Sequence, residues 1–192
     1  MEKNTETNNL NTQENKYSLI KDFPELANDQ NFKICSPTTY KYNCIAWAMQ
    51  FEDRWVDHLP GPDHWWPNDV ERNMSSSALI AAFEAVGFTE CDNKSLEEGF
   101  DKVILYKNET EDEWTHASRI IDNSVEHSKF GASFDGTHSH DKFQGTCYGI
   151  PYAIMKRRTN YDSSESKLQI GKASANLKLL RQQIDNYNKK QH

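Results

Sequence analysis

From Cys44 to Met49 the chain reads Cys-Ile-Ala-Trp-Ala-Met, apolar on every side, so any fold must close around this stretch. Upstream, Pro37 and the β-branched Thr38 and Thr39 resist helix, whereas Ala46, Ala48, Met49 and Gln50 favour it. The helix is predicted to begin close to Asn43. Cys44 then sits in the first turn, where unpaired N–H groups and the positive end of the helix dipole favour a thiolate. Two readings follow: an activated nucleophile, or a small buried hydrophobe. The partners of Cys44 decide between them.

The 192 residues give room for one domain with tails. The five Trp, eight Tyr and nine Phe fall almost wholly between Tyr17 and Tyr161. Met1 to Lys16 is polar and reads as a flexible leader, residues 17–158 as the domain, and 159–192 as a polar linker followed by an amphipathic helix. That helix carries Ile170, Ala173, Leu177, Leu180, Ile184 and Tyr187 at spacings of three and four. Its stripe either docks on the domain or serves as a homodimer or partner-helix contact.

A formal net charge of −7 argues against non-specific nucleic-acid binding, which needs a basic face. The four cysteines show no CxxC pair, so neither a zinc ribbon nor a disulfide scaffold is expected, and reduced thiols in a cytoplasmic setting are the default. No secretory h-region and no membrane-spanning run is seen, which leaves signal-peptide-independent export open. No cofactor and no metal is expected.

Asp22-Phe23-Pro24 reads as a helix start, with Asp22 as the cap. Between Trp55 and Pro67, prolines forbid regular structure while aromatics demand burial; Trp65 and Trp66 form either a wall over the core or the aromatic rim of a substrate cleft. A core helix follows, capped by Ser75, Ser76 or Ser77, with Leu79, Ala82, Phe83 and Val86 on one face and Gly87 at its end. Phe100–Tyr106, Trp114–Ile121 and Ser124–Gly131 read as an antiparallel meander, and Gly145–Arg158 as a last strand with Lys156, Arg157 and Arg158 facing water. The fold class is α+β.

A nucleophilic cysteine needs a base and a group that orients the base. His116 is the candidate base, at the start of a strand on which His116, Ser118 and Ile120 share one face. His138, His140, Asp135 and Asp141 are candidate orienting groups, and the residues alone do not choose among them. Asn43 is a candidate oxyanion donor beside the Cys44 N–H. Lys129 reads as a solvated strand residue, or as an anion-binding group if it lies in a cleft. His138 and His140, with Asp135, Asp141, His116 or His127, give a competing metal reading that leaves Cys44 without a role.

Tyr42-Asn43-Cys44-Ile45-Ala46-Trp47-Ala48 resembles the hallmark of an uncharacterised bacterial domain family. The resemblance continues through Trp65-Trp66-Pro67, the helix at Ala78 to Gly87, and Gly99 to Val103. Further on it includes Thr115-His116-Ala117 with Arg119, Ser128-Lys129-x-Gly131, His138 and Gly149. It covers roughly Phe23 to Arg158, departing from the usual form at Phe130 and Gly136. The order of cysteine, histidine and polar residue is in turn similar to papain-like thiol hydrolases, the superfamily of cysteine peptidases and peptidoglycan amidases. That likeness implies a cysteine helix packed on an antiparallel sheet, with Cys44 as nucleophile, His116 as base and His138 in third position.

The expected function is therefore a thiol hydrolase that cleaves an amide or isopeptide bond in a peptide, protein or cell-wall fragment. Deamidase or transglutaminase chemistry, as in some effectors and toxins, uses the same acyl-thioester. The alternative is a non-catalytic interaction module that binds a protein through the aromatic loop and the C-terminal stripe.

Overall fold

The computed structural model describes residues 9–61 and 63–159. The C-terminal stripe from Ile170 onward lies outside these residues. The first helix, α1 (Gln13–Asp22), is capped by Thr12, whose side chain accepts from the Asn15 N–H. Residues 13–16, expected in a polar leader, are thus helical. A 3-10 turn over Pro24–Asn28 follows, opened by Pro24 rather than by a side-chain cap from Asp22. Next come β1 (Lys33–Ser36), α2 (Cys44–Ala48), the short strands β2 (Trp55–Val56) and β3 (His64–Trp65), α3 (Ser76–Glu84) and β4 (Thr89–Glu90). The remaining strands are β5 (Phe100–Lys107), β6 (Trp114–Asp122), β7 (Val125–Lys129), β8 (Asp135–Ser139) and β9 (Ile150–Arg158).

Seven strands form one antiparallel sheet in the order β1-β8-β7-β6-β5-β9-β4, while β2 and β3 pair in parallel. The α+β expectation stands. The meander of β5, β6 and β7 is joined by a further strand, β8, which carries His138. Gly136 admits β1 alongside it: a Cβ there would meet the Lys33 carbonyl oxygen at 2.6 Å.

Register sorts the core. Val103 pairs with Arg119 and Leu105 with Ala117, and Val103, Leu105, Ala117 and Met155 pack with Ile45 of α2, Met49 at its C-terminal cap, and Leu79 and Phe83 of α3. Each of these fully buried side chains larger than alanine contributes about 1.5–3 kcal/mol. Ile104, Tyr106 and Ile120 form a second cluster, and Leu19, Leu26, Ile34, Phe130 and Phe143 a third. α3 is capped by Ser75 as expected, and Gly87 at φ 90 leads the chain away from it.

Arg157 corrects the expectation of a water-facing basic end. Only 4 % exposed, it donates to the Val86 and Met49 carbonyls and lies 4.4 Å from the Phe88 ring centroid. Its parity on β9 turns it toward the helices, where the last carbonyls of α2 and α3 need donors. Lys156 pairs with Glu97 at 2.8 Å. No helix among the described residues is long and apolar enough to cross a membrane.

Candidate active site

Asn43 fixes where α2 begins. Its Oδ1 accepts from the Ala46 N–H at 3.0 Å and the Val56 N–H at 3.3 Å, and its Nδ2 donates to the Val56 carbonyl at 2.9 Å. The amide caps the helix and ties it to β2. This corrects the expected oxyanion role of Asn43: the side chain is buried and directed at backbone partners.

Cys44, partly exposed as a residue, presents its sulfur to β6. The β6–β7 register stops at Arg119 and His127, and beyond it the Ala117 N–H, with those of Ile45 and Cys44 itself, faces the sulfur. These amides and the Lys129 charge favour the thiolate, but burial outweighs them and pushes the thiol up to about 11. The expected lowering by the helix terminus is thereby corrected. A dipole contribution of about 0.3–1 kcal/mol is less than one pKa unit, about 1.4 kcal/mol, and a five-residue helix cannot offset dense packing around the sulfur.

His116, the residue before Ala117, is 0 % exposed. Its Nε2 lies 3.0 Å from Ser128 Oγ, Ser128 Oγ lies 2.8 Å from His138 Nε2, and His138 Nδ1 lies 3.0 Å from the Ser139 carbonyl oxygen. A carbonyl only accepts, so His138 Nδ1 carries a proton and its Nε2, in a neutral ring, accepts from the Ser128 hydroxyl. Ser128 Oγ then accepts from His116 Nε2–H, and the proton of the neutral His116 ring is placed on Nε2 by this hydrogen-bond chain. His116 Nδ1 is left with a bare lone pair, buried and without a hydrogen-bond partner among the described residues.

Burial pushes His116 down to about 3 and also lowers His138, so both rings are neutral at pH 7. Tyr148 stacks on His116 at 3.8 Å between centroids, and its phenol lies within electrostatic reach of Cys44. Tyr148 thus stacks on the imidazole and feels the thiol's charge, while the groups that shift Cys44 and His116 do not include one another. Of the expected trio, His116 and His138 are joined through Ser128, to which the sequence assigns no role.

Behind this chain, Glu126 accepts from the Tyr106 and Ser118 hydroxyls, both at 2.5 Å, and lies 2.8 Å from His140 Nδ1. Those contacts hold its carboxyl down at about 2 against the opposing effect of burial. Its charge favours protonation of His116 and His138, though less than burial opposes it. His138 and His140 therefore have separate partners, Ser128 and Glu126, and do not converge as a metal pair. Asp141 pairs with Lys94 at 2.7 Å.

Lys129 is a correction too. It is buried, donates to the Gly131 and Ser133 carbonyls, and sits 5.6 Å from the Tyr42 ring centroid. Burial draws it down to about 8. Trp66 is core, stacked on Trp114 at 6.1 Å. Trp65 lines a cleft of about 530 Å³ together with Tyr40, Arg54, Trp55 and His64.

No curated protein and no solved structure matches the chain. A protein-family profile matches residues 33–156, from β1 to within β9, and takes in every residue of the chain from Cys44 to His138. The chain belongs to the family described as "Domain of unknown function (DUF7689)".

Proposed function

We propose that this domain is a papain-like thiol hydrolase acting on amide or isopeptide bonds, with Cys44 as nucleophile and His116 as base. The observation that carries the reading is the unpartnered Nδ1 of His116, a buried lone pair whose tautomer is set from behind by Ser128 and His138. An imidazole nitrogen left bare in a dry site costs stability. Its use is to take a proton.

Thiol and imidazole are both neutral at rest, because neither charge is favoured in this packing. As the sulfur attacks the carbonyl carbon, its proton passes to His116 Nδ1, and the imidazolium then gives that proton to the departing amine. The Cys44 N–H faces the developing oxyanion. Glu126 supplies a negative charge toward the transient imidazolium. Water, activated by the same nitrogen, resolves the thioester; an amine in its place gives transfer, and a glutamine side chain as substrate gives deamidation. The aromatic cleft leads off the Tyr40–Tyr42 segment that enters α2 and suits a peptide or protein chain.

The rival reading, a non-catalytic interaction module, makes Cys44 and His116 inert core residues. Incubation with p-nitrophenyl acetate, followed by mass spectrometry of each cysteine peptide, separates the two. The hydrolase acylates at Cys44 in a burst that His116→Ala abolishes with the circular dichroism spectrum unchanged. Acylation of Cys44 no faster than that of Cys91 would refute it.

A further inference from the structure

We infer that Cys35, His127 and Asp135 form a binding site for one thiophilic divalent cation of the zinc class. One candidate ligand atom from each residue lies within 4.8 Å of the other two. Around a tetrahedral ion with metal–sulfur bonds of about 2.3 Å and metal–nitrogen or –oxygen bonds of about 2.0–2.2 Å, ligand atoms stand roughly 3.3–3.7 Å apart. From a separation of up to 4.8 Å a pair draws in by about 1.5 Å at most, while His127 Nε2 and Asp135 Oδ1, 2.9 Å apart, open by a few tenths of an ångström.

A second observation points to the ion. Asp135 is 0 % exposed; Oδ1 lies 2.9 Å from His127 Nε2, while Oδ2 is buried without a hydrogen-bond partner among the described residues. Lys129 stands opposite Asp135 in the β7–β8 register but directs its ammonium at the Gly131 and Ser133 carbonyls. The Tyr42 phenol feels the carboxylate's charge and interacts with it as a hydrogen-bond donor, yet at no geometry that satisfies Oδ2. A carboxylate oxygen in that state is costly, and a cation removes the cost.

The backbone is arranged to bring the ligands together. The β1–β8 register slips between Ile34 and Ser36, so that Cys35 falls in the irregularity. His127 and Asp135 come from β7 and β8, and the Trp47 ring, packed edge-to-face with His127 at 4.9 Å between centroids, holds the imidazole plane. The ion would cross-link three neighbouring strands, β1, β8 and β7, at the sheet's edge. Thiolate, imidazole and a single carboxylate select zinc-class ions over magnesium or calcium, and the exposed Cys35 leaves the fourth position to water.

The test uses the tag-free, reduced full chain after chelator treatment and dialysis, titrated with Co2+ and then competed with Zn2+. One cobalt per chain is expected, with a thiolate-to-cobalt charge-transfer absorption that Zn2+ abolishes. Cys35→Ser, an exposed change that the fold tolerates, removes the absorption and weakens Zn2+ binding at least about tenfold, while Cys91→Ser changes neither. The absence of that absorption in the wild type, or its survival in Cys35→Ser, overturns the proposal. Neither readout depends on Cys44 or on hydrolysis.

Discussion

The Ser128 hydroxyl donates to His138 Nε2 at 2.8 Å, on the edge of the ring away from the nitrogen that donates to the Ser139 carbonyl. Because His138 is thereby held as an acceptor, the hydroxyl has only its lone pairs to offer His116. A serine between two buried imidazoles acts as a one-way connector, and it fixes which nitrogen of His116 is basic.

Ser128→Ala breaks that connection and leaves His116 Nε2–H and His138 Nε2 without partners. A loss of about 1–3 kcal/mol is expected in urea denaturation. The rate of Cys44 acylation should fall about 10²-fold, because His116 is then free to adopt the other tautomer. Ser128 is a positioning residue, so the pH profile of acylation should change with the rate. An unchanged profile and rate would reduce Ser128 to packing.

Cys44 should be slow toward iodoacetamide in the absence of substrate. With its thiol at about 11, the thiolate fraction at pH 8 is of order 10⁻³, against roughly a quarter for an ordinary cysteine at about 8.5. Alkylation followed by peptide mass spectrometry should therefore show Cys44 about 10²-fold slower than free cysteine, accelerating up to about pH 11. Rapid labelling at pH 6 would mean a preformed thiolate–imidazolium pair instead of the neutral one.

Acid should weaken the fold in two steps. His116 titrates at about 3 in the native state and near 6.5 unfolded, so between those values the unfolded chain binds more protons and stability falls as pH falls. Glu126 is depressed to about 2 from about 4.5, so its contribution is present above about 4.5 and is lost as pH drops toward 2. Urea midpoints measured from pH 7 to 5 read the histidine step, in which the lowered His138 shares, and His116→Phe should make it shallower. An equal slope in that variant would place the step on another group.

Much of the fold was readable because its signals are local. The Asn43 helix start, the Ser75 cap and the apolar run of β5 each follow from a few neighbouring residues. Strand β8 is not legible, because Asp135-Gly136-Thr137-His138-Ser139 has turn composition and becomes a strand only between β1 and β7. For the site, the parity of β6 placed His116 and Ser118 on one face, but Ser128 and Glu126 join them only through the β6–β7 and β7–β8 registers. The protonation states were not legible at all. A helix-start cysteine suggests a low pKa from sequence, and only the packing around the sulfur reverses it.

Asn43 separates cap from catalyst. Asn43→Asp keeps the oxygen that accepts from the Ala46 and Val56 N–H groups but loses the donor to the Val56 carbonyl; Asn43→Ala loses both. The cap alone is worth about 0.5–2 kcal/mol, and an orphaned buried backbone group about 1–3 kcal/mol. Asn43→Ala should therefore destabilise more than Asn43→Asp in thermal or urea unfolding. If Asn43 only holds α2 against β2, Asn43→Asp retains Cys44 acylation within a few-fold wherever it remains folded. A drop of 10²-fold or more in folded Asn43→Asp, the size expected for a lost oxyanion donor, would return the side chain to the reaction centre.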